Sequence, residues 1–161
     1  MLFGIVALLP AWYAVQRLFA DTNGSSMFLW VVAIVAAADI GAYFTGRSLG
    51  RTKLAPQISP GKTREGLLGG LVAAALVGAA GAQLFGLPPV PFLFAGAVIA
   101  MISVVGDLTV SAFKRTAGLK DSGWILPGHG GVMDRIDSLV AALPLFVLVL
   151  VQVGYLAVGS A

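Results

Sequence analysis

Charged and polar side chains concentrate between Gly106 and Asp137, in a chain that is otherwise mostly apolar. Two acids of this stretch, Asp107 and Asp134, could bind a hard divalent cation such as magnesium, which favours carboxylate oxygens and leaves positions for substrate phosphates. The alternative is that these acids only pair with Arg115 or Arg135. The spacing alone leaves both interpretations open.

Cations and glycines alternate along the same stretch. Four cations could neutralise a polyphosphate, with arginine able to grip it through two parallel hydrogen bonds: Lys114, Arg115, Lys120 and Arg135. The glycines around His129 would let the backbone approach a ligand closely, although a plain turn uses glycine as readily. We interpret His129 as a phosphate contact or orienting group rather than a general base.

Composition assigns the chain to the membrane. Of its 161 residues 58% are hydrophobic and only 11% are charged, and the mean hydropathy is +0.96. A soluble domain of this length has too much surface to tolerate such a composition. The chain has no cysteine, which excludes disulfides, thiolate nucleophiles and cysteine metal sites.

Hydropathy predicts an all-α polytopic membrane protein, with residues 1–161 forming one transmembrane domain. A membrane-spanning helix needs roughly 20 apolar residues. Five segments qualify: about 2–20, 27–46, 67–86, 90–110 and 138–158. The segments 47–66 and 111–137 then form two loops on the same side of the membrane.

Lysine and arginine lie almost entirely on that side. The two loops and their edges carry nine of the ten cations, and the exception is Arg17. This asymmetry predicts that both loops face the cytoplasm. The cations of residues 46–54 are expected to anchor helix ends to anionic lipid.

Acids inside apolar segments indicate a functional site rather than an ordinary solvent-exposed surface. Asp39 and Asp107 lie within predicted spans, and Asp134 and Asp137 open the last one from the cytoplasmic side. Intramembrane carboxylates are costly and normally face a polar cavity or a partner. Asp39, which shares a helix face with Tyr43, could support the site or merely pair with a lysine.

The segment from Ser59 to Gly66 contains Gly61-Lys62-Thr63, which invites a phosphate-binding P-loop interpretation. That motif needs a glycine where Pro56 stands and a preceding strand, so we reject it. Ser59 and Pro60 instead predict a helix start, with serine as the cap and proline in the first turn. Lys62 would then lie near a helix N-terminus, which favours anions.

Taken together, these residues resemble the signature of the phosphatidate cytidylyltransferase (CDP-diacylglycerol synthase) family. The matching elements are Ser111-Ala-Phe-Lys114-Arg115, Lys120-Asp121, Pro127-Gly-His129-Gly130-Gly131 and Asp134-Arg135-Ile-Asp137, with Gly106-Asp107, Asp39 to Arg47 and Ser59 to Gly66 upstream. Family members are usually longer, so the resemblance implies that this chain corresponds to their C-terminal catalytic part.

The resemblance implies transfer of the cytidylyl group of CTP to phosphatidate, giving CDP-diacylglycerol and pyrophosphate. It implies a magnesium centre on Asp107 and Asp134, with room for a second cation, and catalytic roles for Lys114, Arg115 and Asp137. The substrate-binding residues that it implies are Asp39, Ser59, Lys62, Thr63, Glu65, Ser111, Lys120, Asp121, His129, Gly130, Gly131 and Arg135. It also implies a multi-pass inner-membrane protein with a cytoplasmic active site, which can form a homodimer and has no nucleic-acid partner.

Two alternatives remain at this point. A related membrane cytidylyltransferase could act on another lipid phosphate, such as an archaeal ether lipid. A non-catalytic transport or ion-conducting module would instead use the acids as pathway residues. The second alternative predicts charges spread across the membrane depth, whereas here they cluster at one face.

Overall fold

The computed structural model describes residues 2–56, 58–116 and 133–156. Five helices and a two-stranded antiparallel sheet form this part of the chain. They are α1 (Leu2–Phe19), α2 (Gly24–Leu49), β1 (Lys53–Ala55), β2 (Ser59–Thr63), α3 (Arg64–Leu84), α4 (Pro89–Thr116) and α5 (Met133–Gln152).

The helices confirm the predicted class, an all-α polytopic membrane protein. Within the described residues, three helical segments are long and apolar enough to cross a membrane: Gly24–Leu49, Arg64–Leu84 and Pro89–Thr109. Ser138–Gln152 is a shorter apolar segment. The β1–β2 hairpin is a small addition that the sequence did not predict, and the five spans with their boundaries stay a prediction.

Helix α3 lies between α2 and α4, and it packs through residues with little or no side chain. A Cβ added to Gly70 would lie 2.6 Å from the carbonyl oxygen of Ala38 on α2. A Cβ added to Gly78 would likewise overlap the carbonyl oxygen of Phe92 on α4. Small residues let helix backbones approach closely, which is how helices pack in lipid. The opposite face of α3 exposes Leu68, Val72 and Leu76.

An aromatic cluster around Trp30 forms the core near the start of α2. The Trp30 ring lies 5.4 Å from Phe85, 4.8 Å from Phe92 and 5.0 Å from Phe146, measured between ring centroids. Its indole N–H donates to the carbonyl oxygen of Val77 at 3.2 Å, so the buried polar atom is satisfied. This cluster joins α2, α3, α4 and α5 at the end of the bundle away from the β-hairpin.

Helix α5 ends at Gln152, before the predicted end of the last span at residue 158. Gly154 adopts a φ of +76°, in the left-handed region that glycine enters without steric cost. The N–H of Tyr155 then donates back to the carbonyl oxygen of Leu150 at 2.9 Å. This is a glycine-terminated helix end, and hydropathy could not reveal it because the residues that follow are still apolar.

Candidate active site

A cleft of about 480 Å³ opens beside the β-hairpin, between the C-terminal half of α2 and the beginning of α3. It is lined by Asp39, Ala42, Tyr43, Gly46, Arg47, Leu54, Gly61, Lys62, Thr63, Gly66, Leu67 and Val104. The α2 residues recur at helical spacing from Asp39 to Arg47, which are about 12 Å apart along the axis at 1.5 Å per residue. The cleft therefore follows one face of α2 for about two turns.

The hairpin corrects the predicted helix start at Ser59 and Pro60. Residues Ser59–Thr63 form β2, paired antiparallel with β1. A strand in a two-stranded sheet tolerates proline, because one of its edges needs no N–H donor. Helix α3 begins at Arg64, and its cap is Thr63, whose hydroxyl oxygen accepts the N–H of Gly66 at 3.1 Å.

Glu65, in the first turn of α3, binds the segment that links α2 to β1. Its carboxylate accepts the backbone N–H of Arg51 at 3.1 Å and that of Thr52 at 3.2 Å. Between the same two segments, the N–H of Arg64 donates to the carbonyl oxygen of Thr52 at 2.9 Å. These described contacts hold the end of α2 against the start of α3. The substrate-binding role of Glu65 stays a prediction.

An ion pair between Lys62, which lines the cleft, and Asp107 joins the hairpin to α4. The Lys62 side chain is 29% exposed and that of Asp107 is 39% exposed, so the pair is only partly shielded from solvent. Among the described residues, the cationic partner of Asp107 is Lys62. The side chains of Arg115 and Arg135, the partners considered from sequence, lie outside the described part, so that pairing stays a prediction. A lysine beside a carboxylate at a cleft is an arrangement that can hold phosphate and cation together.

The donor chemistry at Asp107 fits a magnesium ion, because its carboxylate is part-exposed and oxygen is the ligand that magnesium prefers. Within the described residues, no group of three or more acids and histidines is clustered tightly enough to hold a metal. The second predicted ligand, Asp134, lies on the first turn of α5, and its side chain is outside the described part. Its metal-binding role stays a prediction.

Helix α4 continues past Asp107 to Thr116, so Ser111, Lys114 and Arg115 lie on its last turns. Asp134, Arg135 and Asp137 lie on the first turns of α5. The side chains of these six residues are outside the described part, as are Lys120, Asp121, His129, Gly130 and Gly131 altogether.

Helices α4 and α5 are packed neighbours, and a Cβ on Gly106 would lie 3.8 Å from the Cβ of Ala141. The chain leaves α4 at the end where it later begins α5. The last turns of α4 and the first turns of α5 therefore share one end of the bundle, the end to which Asp107 belongs. Of the predicted site residues, the structure joins Lys62 to Asp107 and places Asp39 and Thr63 in the cleft beside them.

Arg47 is a cleft residue that sequence reasoning assigned to lipid anchoring. Its guanidinium donates to the hydroxyl of Tyr43 at 2.8 Å, and both side chains line the cleft. The signal was present in the spacing, since Asp39, Tyr43 and Arg47 follow each other at intervals of four on one helix face. A cluster of neighbouring cations obscured it.

Comparisons with known proteins agree with the resemblance. A family model described as the cytidylyltransferase family matches residues 1–153. The chain is 45% identical to the phosphatidate cytidylyltransferase of Pseudomonas aeruginosa, covering 94% of this chain and 57% of that protein. It is 43% identical to the phosphatidate cytidylyltransferase of Bacillus subtilis, covering 82% of this chain and 50% of that protein.

A similar fold occurs in a solved structure described as an intramembrane enzyme for archaeal membrane lipids biosynthesis. The TM-score is 0.51 at 24% identity, over 76% of this chain and 84% of the other. That likeness supports the membrane-helical architecture. The chain spans about half the length of the curated relatives it matches. With the family model covering nearly all of it and relatives above 40% identity, this chain belongs to the cytidylyltransferase family.

Proposed function

We propose that this chain transfers the cytidylyl group of CTP to phosphatidate, giving CDP-diacylglycerol and pyrophosphate. The observation that carries the proposal is the Lys62–Asp107 pair beside a cleft, in a chain of this family. A lysine can hold the phosphates of CTP, and a carboxylate can hold the cation that accompanies them. The names of the relatives supply the acceptor, phosphatidate.

In the proposed reaction, a phosphate oxygen of the lipid attacks the α-phosphorus of CTP in line with the leaving group. The new bond joins that oxygen to the α-phosphorus. The bond from the α-phosphorus to the oxygen bridging it to the β-phosphorus breaks, and pyrophosphate leaves with the electron pair. The reaction needs no protein nucleophile, so positioning and electrostatics supply the catalysis.

Two groups of residues would share this work. Lys62 would exchange Asp107 for a phosphate oxygen when CTP binds, and Lys114, Arg115 and Arg135 would neutralise the remaining phosphates. Asp107 and Asp134 would hold magnesium, with Asp137 beside them. A magnesium ion there would act as a Lewis acid on phosphate oxygens and offset the charge of the leaving pyrophosphate.

The placement of charge supports a cytoplasmic active site in a bacterial inner membrane. Lys62, Arg47 and the other cations of the hairpin region lie at one end of the helices, the end that the positive-inside rule assigns to the cytoplasm. CTP would enter from that side, and phosphatidate would come from the bilayer. We also propose a homodimer, which crosslinking in native membranes would test.

The test is turnover by purified protein in lipid nanodiscs, with radiolabelled CTP and phosphatidate. We expect labelled CDP-diacylglycerol with magnesium and none with chelator. Lys62→Met should lower turnover by about tenfold or more, since tenfold needs only ~1.4 kcal/mol of transition-state stabilisation. Arg51→Ala, an exposed cation of the same region, should keep nearly full activity.

Two results would contradict the proposal. Full turnover in chelator would remove the cation from the mechanism. Product formed only with another lipid phosphate in place of phosphatidate would assign a different acceptor to the same chemistry, so an ether-lipid phosphate is included as a parallel acceptor.

A further inference from the structure

Arg47 is held in a defined orientation within the cleft. Its guanidinium donates to the Tyr43 hydroxyl at 2.8 Å, and its central carbon lies 6.0 Å from the centre of the Tyr43 ring. Both side chains belong to the exposed face of α2 that lines the cleft. An exposed arginine usually samples many rotamers, so this tether lowers the entropy cost of binding a ligand there.

The two cations Lys62 and Arg47, which both line the cleft, have different partners. The ammonium of Lys62 is paired with the carboxylate of Asp107. Among the described residues, the contacts of the Arg47 guanidinium are with a neutral phenol. Within the described residues, Arg47, which lines the cleft, therefore keeps its positive charge and donor groups beyond the one used here, because a guanidinium has five N–H donors.

A cation in the last turn of α2 also has a simpler explanation. Lysine or arginine near a helix C-terminus interacts favourably with the helix dipole, and it can anchor the helix end to anionic lipid. Arg51 satisfies that explanation equally well, since it is exposed just beyond the same helix end and does not line the cleft. The contact with Tyr43 and the position in the cleft distinguish Arg47 from Arg51.

We propose that Arg47, oriented by Tyr43, binds a phosphate group of a substrate in this cleft. The inference rests on the proposed function and adds a binding residue to it. The ligand is a phosphate ester, which either the nucleotide or the lipid headgroup could present. The planar fork of arginine suits two oxygens of one phosphate, and the remaining donors of Arg47 can supply such a pair.

The test compares Arg47→Ala, Arg47→Lys and Tyr43→Phe with Arg51→Ala as the matched control. The Michaelis constants for CTP and for phosphatidate are measured separately, together with kcat. We expect Arg47→Ala to raise one of the two constants by about tenfold or more and leave the other within about twofold, as loss of a binding contact to one substrate should. The constant that rises identifies the source of the phosphate.

The other variants separate phosphate binding from helix-end stabilisation. Arg47→Lys keeps the charge but loses the fork, so it should recover only part of the affinity. Tyr43→Phe removes the tether and should raise the same constant by about two- to fivefold. If Arg47→Ala matches Arg51→Ala in both constants, the proposal is wrong and Arg47 only stabilises the helix end.

Equilibrium binding keeps this inference distinct from the proposed function. Binding of CTP, and separately of phosphatidate in mixed micelles, is measured on folded protein without turnover. If the wild-type protein binds either ligand but forms no product, the proposed reaction fails while weakened binding in Arg47→Ala still supports the phosphate site. Unchanged binding of both ligands in Arg47→Ala would overturn the phosphate site whatever the turnover.

Discussion

The Lys62–Asp107 pair should stabilise the fold measurably in the absence of substrate, because it joins the hairpin to α4. The perturbation is a double-mutant cycle. Lys62→Met removes the positive charge and keeps a side chain of similar length. Asp107→Asn removes the negative charge and keeps the shape of the side chain. A cycle isolates the interaction between the two side chains from their other contacts.

The expected magnitude follows from the exposure of the two side chains. Two charges about 4 Å apart attract by about 4 kcal/mol at an effective dielectric constant of about 20. Fully exposed pairs retain only about 0.2–1 kcal/mol of this, and breaking a buried pair costs about 3–5 kcal/mol. With exposed fractions of 29% and 39%, the pair lies between these limits, closer to the exposed one. We expect a coupling free energy of about 1–2 kcal/mol.

The assay is unfolding in mixed micelles, in which sodium dodecyl sulfate is titrated and unfolding is followed by the fluorescence of the three tryptophans, of which Trp30 lies in the aromatic cluster. Each single variant should lose about as much stability as the double variant, because either change breaks the pair. A second cycle with Lys53→Met and Asp107→Asn is the control, since Lys53 is an exposed hairpin cation outside the pair. A Lys62–Asp107 coupling below ~0.5 kcal/mol, no larger than in the control, would refute the reasoning.

Three further predictions concern packing, capping and orientation. Gly70→Leu should prevent the close approach of α2 and α3 and abolish folding or activity. Gly61→Ala, with open space around its Cβ position, should be well tolerated, and an expression and thermal-stability screen compares the two variants. Thr63→Ala should cost about 1–2 kcal/mol of unfolding free energy by removing the cap of α3, and Thr63→Ser should restore most of it. In this cysteine-free chain, single cysteines at Asn23 and Lys120 should react with an impermeant thiol reagent from opposite sides of the membrane; labelling of both from one side would contradict the predicted orientation.

Hydropathy predicted the helical class because helices that cross a membrane must be long and apolar. The segment 27–46 predicted for the second span lies inside α2, and 67–86 overlaps nearly all of α3. Helix ends were less predictable, since they depend on local capping. Thr63 is the cap of α3 although Ser59 and Pro60 carry the stronger sequence signal, because pairing with β1 makes that segment a strand.

The residues of the site were easier to identify than their partners. The cost of burying a carboxylate singled out Asp107, and the segment from Ser59 to Gly66 singled out Lys62, but these two residues are 45 positions apart in sequence. Their contact depends on the rotation of α4 and on a hairpin of two short strands, and neither follows from composition. Arg47 was assigned to lipid anchoring because it lies in a cluster of cations, and the helical periodicity that puts it beside Tyr43 does not show which face of α2 borders the cleft.

The fate of each phosphate of CTP tests the central claim most directly. Purified protein is incubated with magnesium, phosphatidate and CTP radiolabelled at either the α- or the γ-phosphorus, and the lipid and aqueous phases are then separated. Cytidylyl transfer predicts that the α-label enters the lipid, that the γ-label leaves as pyrophosphate, and that Asp107→Asn abolishes both while Arg51→Ala retains them. Entry of the γ-label into lipid would show phosphoryl transfer instead, and retention of both labels in CTP by folded wild-type protein would contradict an enzymatic role for this chain.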